Sequence, residues 1–206
     1  MEVLLWAAAG VALVPLVLGA LWATGRTRLG AGLLKTFADA IDAVNTVIGR
    51  AVGALALAMV LLQVAIVVMR YVFGLGFVFL QEAMLYMHGM LFLSAIAYTL
   101  LRGGHVRVDI FYRTASPRAK TWVDLAGAYL FLFPLATFIF ALSFPYVWQS
   151  WAILERSRET SGIPYVYVLK TFILVFAALL YAQGLSLAIR DLRILAGLDP
   201  RAPEKA

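Results

Sequence analysis

The sequence reads RGGHVRVDIFYRTASPRAK from Arg102 to Lys120, between two pairs of long hydrophobic runs. Five of the 17 basic residues of the chain lie in this short stretch: Arg102, Arg107, Arg113, Arg118 and Lys120. In membrane proteins, short loops rich in Lys and Arg stay on the cytoplasmic side. The stretch therefore predicts a cytoplasmic loop, and with it the direction in which each neighbouring span crosses the membrane.

The composition is typical of an integral membrane protein. Of 206 residues, 64% are hydrophobic and 14% are charged, and the mean hydropathy is +0.92, so the chain lacks the polar surface that a soluble globule of this size needs. The net charge is +6, but the basic residues cluster at the ends of hydrophobic runs, which favours contact with the phospholipid bilayer and argues against nucleic acid as a partner. The absence of cysteine excludes disulfides, thiolate metal sites and cysteine nucleophiles.

Five apolar runs are each long enough to cross the ~30 Å hydrocarbon core as a helix. They are Met1–Thr24, Ala51–Met69, Phe77–Leu101, Trp122–Trp148 and Tyr165–Ile189. Glu2 precedes the first run and Arg26 and Arg28 follow it, whereas a secretory signal carries positive charge before its apolar stretch. Residues 1–25 are therefore interpreted as an extra N-terminal transmembrane helix, with a signal peptide as the alternative.

Residues 31–50 have the pattern of an amphipathic helix. Apolar and polar positions segregate at spacings of three and four, with Leu34, Phe37, Ile41, Val44 and Ile48 on one side and Lys35, Asp39, Asp42 and Asn45 on the other. We expect this helix to lie flat on the cytoplasmic interface and to lead into the span that begins at residue 51. The alternative is that it forms only the polar start of a longer, tilted helix.

The distribution of charge predicts the topology of this all-α membrane protein. With the Arg102–Lys120 loop in the cytoplasm, only Arg70, Arg156, Arg158 and Lys170 lie outside, which leaves the large majority of the 17 basic residues inside. The sequence therefore predicts five spans, with the N-terminus outside and the C-terminus inside. Residues 198–206 are predicted to form a disordered cytoplasmic tail.

Glu82 lies close in sequence to Arg70, across the short outer turn RYVFGLG. A carboxylate in the membrane interior costs about 2.5–3.5 kcal/mol on insertion scales, so it needs a partner or water. We predict an ion pair between Arg70 and Glu82 that ties two helix ends together. The alternative is a proton or ion relay through Glu82 and His88, as an autonomous small channel would use.

A second polar group, His105, Arg107 and Asp109, follows Gly103 and Gly104 in the basic loop. The two glycines permit a tight exit from the preceding helix and would place an ordered polar cluster at the membrane surface. One interpretation is a docking site for a partner protein. The other is a charged interfacial turn in which Asp109 pairs with a neighbouring arginine, and the pattern alone does not decide between them.

No motif in the sequence points to catalysis or to a bound cofactor. His88 and His105 are the only two histidines, and they lie too far apart along one span to share a haem iron, which disfavours a haem-carrying anchor of a redox complex. The sequence shows no phosphate-binding glycine loop, no cluster of metal ligands and no catalytic triad. We therefore expect a protein that is not an enzyme and that binds no cofactor or metal.

Short motifs are spread along the chain from about Leu34 to Gly197. They are Ile41-Asp42, Asn45, Ile48-Gly49-Arg50, Arg70-Tyr71-Val72-Phe73, Glu82 with Tyr86, His105-Val106-Arg107-Val108-Asp109, Ser143–Tyr146, Glu155, Ser157, Gly162–Pro164, Lys170 and Gln183-Gly184. In this order and spacing they resemble the small membrane subunit, the Q or DctQ-like subunit, of tripartite ATP-independent periplasmic (TRAP) transporters. Gly74, Phe79 and Gln81 depart from the pattern, since the family commonly has Asn, Trp and Glu there.

The resemblance implies a DctQ-like four-span membrane domain over residues 51–197, to which the N-terminal span adds a further helix. It implies that a periplasmic solute-binding (P) protein delivers an organic acid to a large membrane (M) subunit, which couples uptake to a sodium or other ion gradient. The small subunit would act as a stator in the bacterial inner membrane, packing against the large subunit and helping to seat the binding protein. The two polar groups described above would then hold loops or contact these partners.

Overall fold

The computed structural model of the chain describes residues 28–105, 112 and 114–199, and the regular structure of these residues is entirely helical. The helices are α1 (Arg28–Val72), α2 (Val78–Leu101), α3 (Pro117–Gly127), α4 (Phe133–Ala152) and α5 (Val166–Leu195), and a π-helix, Ala128–Leu132, joins α3 to α4. The predicted N-terminal span over 1–25, Arg107, Asp109 and the tail after residue 199 lie outside the described residues.

Four helical segments in the described part are long and apolar enough to span a membrane. They are Gly30–Val72, Val78–Leu101, Pro117–Ala152 and Val166–Leu195. Each corresponds, to within one residue at its start, to one of the apolar runs predicted between residues 51 and 189 or extends beyond it. The predicted all-α membrane fold is therefore confirmed.

α1 is one continuous helix of 45 residues, where the sequence predicts an interfacial helix over 31–50 ahead of a separate span. At 1.5 Å per residue it is about 68 Å long, roughly twice the thickness of the hydrocarbon core. The observed backbone corresponds to the alternative, a polar start to a longer helix. Asn45 is buried against the bundle, whereas the apolar residues Phe37 and Val44 are more than half exposed. Asn45 and Asp42 are turned inward because they bind side chains of α5, while Lys35 and Asp39 of the polar set stay exposed.

α1 and α2 form a hairpin whose helices approach closely at one crossing. A Cβ atom added to Gly49 of α1 would lie 2.2 Å from Cγ of Tyr98 on α2. That distance is far shorter than van der Waals contact, so a residue with a side chain at this position would push the helices apart. Gly49 therefore allows the Tyr98 ring to pack directly on the backbone of α1.

The segment from α3 to α4 crosses two prolines without a break. Pro134 has no N–H, so it cannot donate the helical hydrogen bond to the residue four positions earlier. The π-helical turn just before it accommodates this loss, with the N–H of Phe133 donating to the carbonyl of Ala128, five residues back. Pro145 lies inside α4, and the helical segment continues to Ala152.

α5 is the helix around which the others pack, since it contacts α1, α2, α3 and α4. Ala188 of α5 is fully buried against Leu125 of α3 and Phe133 of α4, with Tyr181 and Leu185 packed around them. Gln183 and Ser186 on the same helix are also fully buried. Polar side chains inside the bundle need hydrogen-bond partners, and those partners form the candidate site.

Candidate functional site

Within the described residues, two groups of hydrogen-bonded polar side chains lie toward the two ends of α5. The loop cluster lies beside the α4–α5 loop and comprises Glu82, Ser150, Glu155, Ser157 and Lys170. The helix network lies between α1 and α5 and comprises Asp39, Asp42, Asn45, Gln183, Ser186 and Arg190. Lys170 and Arg190 are about twenty residues apart on one helix, or ~30 Å, which is close to the thickness of the hydrocarbon core.

Glu82 holds the α4–α5 loop against α2. One carboxylate oxygen accepts a hydrogen bond from the hydroxyl of Ser157, and the other accepts one from the backbone N–H of Ile163 at 2.5 Å. The predicted ion pair with Arg70 is not formed: among the ion pairs of the described residues none joins these two side chains, and Arg70 is exposed at the α1–α2 turn. The prediction paired Glu82 with the cation nearest to it in sequence. The carboxylate instead accepts hydrogen bonds from Ser157 and Ile163, about eighty residues further along the chain.

Gly162 makes this anchor possible. A Cβ atom at this position would lie 2.3 Å from Oγ of Ser157 and 2.6 Å from Oε2 of Glu82. Both atoms belong to the short contacts that hold the loop, so neither can move away without breaking a hydrogen bond. The absence of a side chain at residue 162 therefore lets the loop close over Glu82.

A second anchor of the loop is the ion pair between Glu155 and Lys170. Nζ of Lys170 lies 2.5 Å from Oε2 of Glu155 and 3.9 Å from the centre of the Tyr146 ring, and the hydroxyl of Ser150 donates to the same Glu155 oxygen at 2.6 Å. The hydrogen bonds from Lys170 and then Ser150 hold the pKa of Glu155 below its usual value, so this carboxyl is ionised at neutral pH. The pair ties the start of the loop to α5.

The helix network joins α1 to α5 through a chain of hydrogen bonds. Nδ2 of Asn45 donates to Oε1 of Gln183 at 2.7 Å, and Nε2 of Gln183 donates to Oδ1 of Asp42 at 2.9 Å. The carboxylate of Asp42 orients both amides, because it can only accept and so draws the NH₂ end of Gln183 toward it. This orientation leaves the carbonyl oxygen of Asn45 buried without a hydrogen bond among the described residues.

The charged end of the network is an arginine shared between two aspartates. Nη2 of Arg190 lies 2.5 Å from Oδ2 of Asp42 and 2.8 Å from Oδ1 of Asp39, and the hydroxyl of Ser186 donates to Oδ1 of Asp42 at 2.6 Å. Asp42 therefore accepts hydrogen bonds from three residues of α5. One turn further along α5, Arg193 binds the carboxylate of Asp199 and donates to the carbonyl of Ala31.

The remaining predicted site residues lie apart from both groups. His105 is exposed just after α2, and the chain leaves that helix through Gly103, whose φ of +67° favours glycine, as the sequence predicts. His88 is exposed and its ring stacks on that of Phe92, with centroids 6.4 Å apart. It lies on a different face of α2 from Glu82, so the structure brings no Glu82–His88 relay together.

No three His, Cys, Asp or Glu side chains within the described ranges converge where they could hold a metal ion. The arrangement of both groups is instead that of ties between helices: each carboxylate accepts hydrogen bonds from an element other than its own. Chemically, the two groups can hold helices and a loop in register.

Residues 59–194 match the family model described as the DctQ component of tripartite ATP-independent periplasmic transporters. The chain belongs to the DctQ family. Comparisons with curated proteins and with solved structures find no match. As a DctQ-family chain it is a multi-pass membrane protein and a component of a TRAP transporter, a family whose members associate with other TRAP components in the membrane.

The match to the DctQ family covers the whole loop cluster but only the α5 half of the helix network, since it begins at Met59. Sequence reasoning did not predict which residues of the helix network bind one another, although several of them belong to motifs that it had singled out. Asp42, Asn45 and Gln183 all belong to the motifs that carry the resemblance, as do Glu82, Ser157 and Gly162. These motif residues form two sets, and the members of each set come from segments that are far apart in sequence. That arrangement is the sequence signal from which contacts between the segments could have been predicted.

Proposed function

We propose that this chain is the non-catalytic small subunit of a TRAP-type secondary transporter and acts as a stator for the large membrane subunit. In this proposal the complex lies in the bacterial inner membrane, with the C-terminus of this chain in the cytoplasm. The large subunit takes up an organic acid from a periplasmic solute-binding protein, driven by an ion gradient. Family membership supports the assignment to the transporter, and the arrangement of polar side chains supports the role.

The observation that carries the stator role is that three carboxylates within the bundle bind donors on other elements. Asp42 joins α1 to Arg190 of α5, Glu155 joins the loop to Lys170, and Glu82 holds the loop on α2. A solute site needs polar atoms that face a cavity and are available to the ligand. The carboxylates of the loop cluster and the helix network are instead engaged in holding elements of the bundle together, which is what a static brace requires.

Two exposed polar residues support a partner in the membrane. Gln63 of α1 and His88 of α2 lie near the middle of their spans and are both exposed, next to exposed apolar residues such as Leu61, Val64 and Phe92. Polar side chains at membrane depth normally face protein, where they form interhelical hydrogen bonds of about 0.6–2 kcal/mol. The proposed large subunit would supply those partners. Arg70 at the α1–α2 turn, and His105, Arg107 and Asp109 after α2, are proposed as further contacts with the partner subunits.

Co-purification tests the role. The full-length chain carries an affinity tag and is expressed together with the proposed large membrane subunit and the solute-binding protein, and the yield of large subunit per tagged chain is measured. We expect the double variant Gln63→Leu, His88→Leu to recover several-fold less large subunit, because each lost interhelical hydrogen bond weakens association. Gln149→Leu, which removes an exposed amide near the end of α4, is the matched control and should leave recovery unchanged.

Reconstitution separates the stator from an autonomous channel. Liposomes that contain this chain alone should pass no current and take up no solute, whereas liposomes with the complete complex should transport the organic acid. Ion current through the isolated chain that disappears in Glu82→Gln would contradict the proposal. A Soret band in the purified chain would contradict it in favour of a redox anchor.

A further inference from the structure

Arg50 and Arg102 both lie near the close crossing of α1 and α2. Arg50 directly follows Gly49, the residue on which the Tyr98 ring packs. The guanidinium carbon of Arg102 lies 5.2 Å from the centre of that same ring, in a cation–π contact. Tyr98 therefore holds the Arg102 guanidinium near α1, at the crossing beside which Arg50 lies in sequence.

Neither of these guanidinium groups is neutralised within the described part of the chain. The ion pairs there join Lys35 to Asp39, Lys170 to Glu155, Arg190 to Asp39 and Asp42, and Arg193 to Asp199. Arg50 and Arg102 are exposed and bind no carboxylate, in contrast to Arg190 and Arg193 at the neighbouring end of α5. Two arginines on adjacent helices match a phosphate group both in charge and in hydrogen-bond geometry.

The surface next to Arg50 suits an acyl chain. Leu57, Leu61, Val64 and Val68 follow Arg50 on one face of α1, and they are 65%, 63%, 56% and 40% exposed. From Arg50 to Val68 this strip is about 27 Å long, more than the ~15 Å depth of one leaflet's hydrocarbon. A free anion would use only the arginines, whereas a lipid would use both the arginines and the strip.

We propose that Arg50 and Arg102 form a binding site for an anionic phospholipid. The two guanidinium groups hold the lipid phosphate between α1 and α2, one acyl chain lies along the exposed strip of α1, and Tyr98 is the positioning residue for Arg102. Basic sites between membrane helices at the cytoplasmic side are known to recognise anionic headgroups, and the charge distribution of this chain predicts that side for both residues. The site does not depend on the proposed stator role.

Native mass spectrometry of the full-length chain in detergent tests the site, with phosphatidylglycerol as the anionic probe and phosphatidylcholine as the zwitterionic one. We expect the wild type to retain phosphatidylglycerol in preference to phosphatidylcholine. The double variant Arg50→Gln, Arg102→Gln should bind phosphatidylglycerol roughly thirtyfold more weakly, since each arginine near an anionic lipid contributes roughly fivefold in affinity. Arg118→Gln, which removes an exposed charge from the same basic loop, should bind it as the wild type does.

Three outcomes would overturn the proposal. The first is equal retention of both lipids by the wild type, a result that does not depend on whether any variant folds. The second is an equal loss of phosphatidylglycerol in Arg118→Gln and in the double variant, because the effect would then be general surface charge. The third is displacement of phosphatidylglycerol by an equal concentration of glycerol phosphate, which would show a site for the free anion.

Discussion

The helix network and the loop cluster both join elements through polar side chains, but they differ in burial. Gln183, at the centre of the network, is 0% exposed, whereas the Lys170 and Glu155 side chains of the loop cluster are 15% and 31% exposed. A buried polar group that loses its partner has no access to water, whereas a partly exposed one can be hydrated instead. We therefore expect the network to govern the stability of the bundle and the loop cluster to govern the position of one loop.

The largest effect is expected from Asp42→Ala in the helix network. The substitution removes the carboxylate that accepts hydrogen bonds from Gln183, Ser186 and Arg190, so all three lose this acceptor at once. We expect the free energy of unfolding in detergent to fall by about 2–4 kcal/mol, less than for a fully buried pair because Arg190 is partly exposed. Unfolding by titration with a denaturing detergent measures the change.

Asp39→Ala is the matched control, since Asp39 also binds Arg190 but is 48% exposed at its side chain. An exposed pair of this kind contributes about 0–1 kcal/mol. If the two alanine variants lose equal stability, burial is not what distinguishes the network.

The next largest effect is expected from Gly162→Ala in the loop cluster. The added Cβ would overlap Ser157 and Glu82 and force the loop away from α2. Overpacking of this kind costs about 1–3 kcal/mol, and we expect faster proteolysis at the α4–α5 loop together with a lower unfolding midpoint. Gly76→Ala, where a Cβ meets nothing within 4 Å, should leave both measurements unchanged.

The same comparison shows how far sequence reasoning reaches. Hydrophobic runs predicted the spans because an apolar helix of about twenty residues is stable in lipid whatever it packs against. The predicted last span ends at Ile189, where the apolar run ends, whereas helix α5 continues to Leu195. Arg190 and Arg193 lie in this extension and bind the carboxylates of Asp39, Asp42 and Asp199.

Partners of single polar residues were harder to predict than the spans. The sequence predicts an ion pair between Glu82 and Arg70, because a sequence shows only which charges are close along the chain. Its donors, Ser157 and Ile163, come from a loop that reaches α2 only when α4 and α5 pack. Which distant segments meet depends on helix packing, and hydrophobicity alone does not specify it in a lipid environment.

A double-mutant cycle sharpens this point. We expect Glu82→Gln and Ser157→Ala to couple by about 0.5–1.5 kcal/mol, because they share a hydrogen bond. Glu82→Gln and Arg70→Gln should be additive within about 0.5 kcal/mol, because their side chains form no ion pair. Coupling between Arg70 and Glu82 larger than that between Ser157 and Glu82 would restore the ion pair that the sequence predicts.

The smallest effect is the pH dependence that Glu155 of the loop cluster contributes. The hydrogen bonds from Lys170 and Ser150 lower the pKa of Glu155 from its usual 4.5. A carboxyl whose pKa is depressed on folding contributes stability at pH values above its unfolded pKa and loses that contribution as the pH falls through its folded pKa. We expect the thermal unfolding midpoint of the wild type to exceed that of Glu155→Gln at neutral pH, and the two midpoints to converge as the pH falls below 4.5, because protonated Glu155 resembles glutamine.

Asp199 provides the check on this assignment, since its hydrogen bond from Arg193 also lowers its pKa on folding. Both proteins contain Asp199, so its titration lowers the two midpoints alike and cancels in their difference. A difference between wild type and Glu155→Gln that persists well below the folded pKa would mean that the glutamine disturbs the loop by its shape. In that case the charge of Glu155 would not be what holds the α4–α5 loop to Lys170.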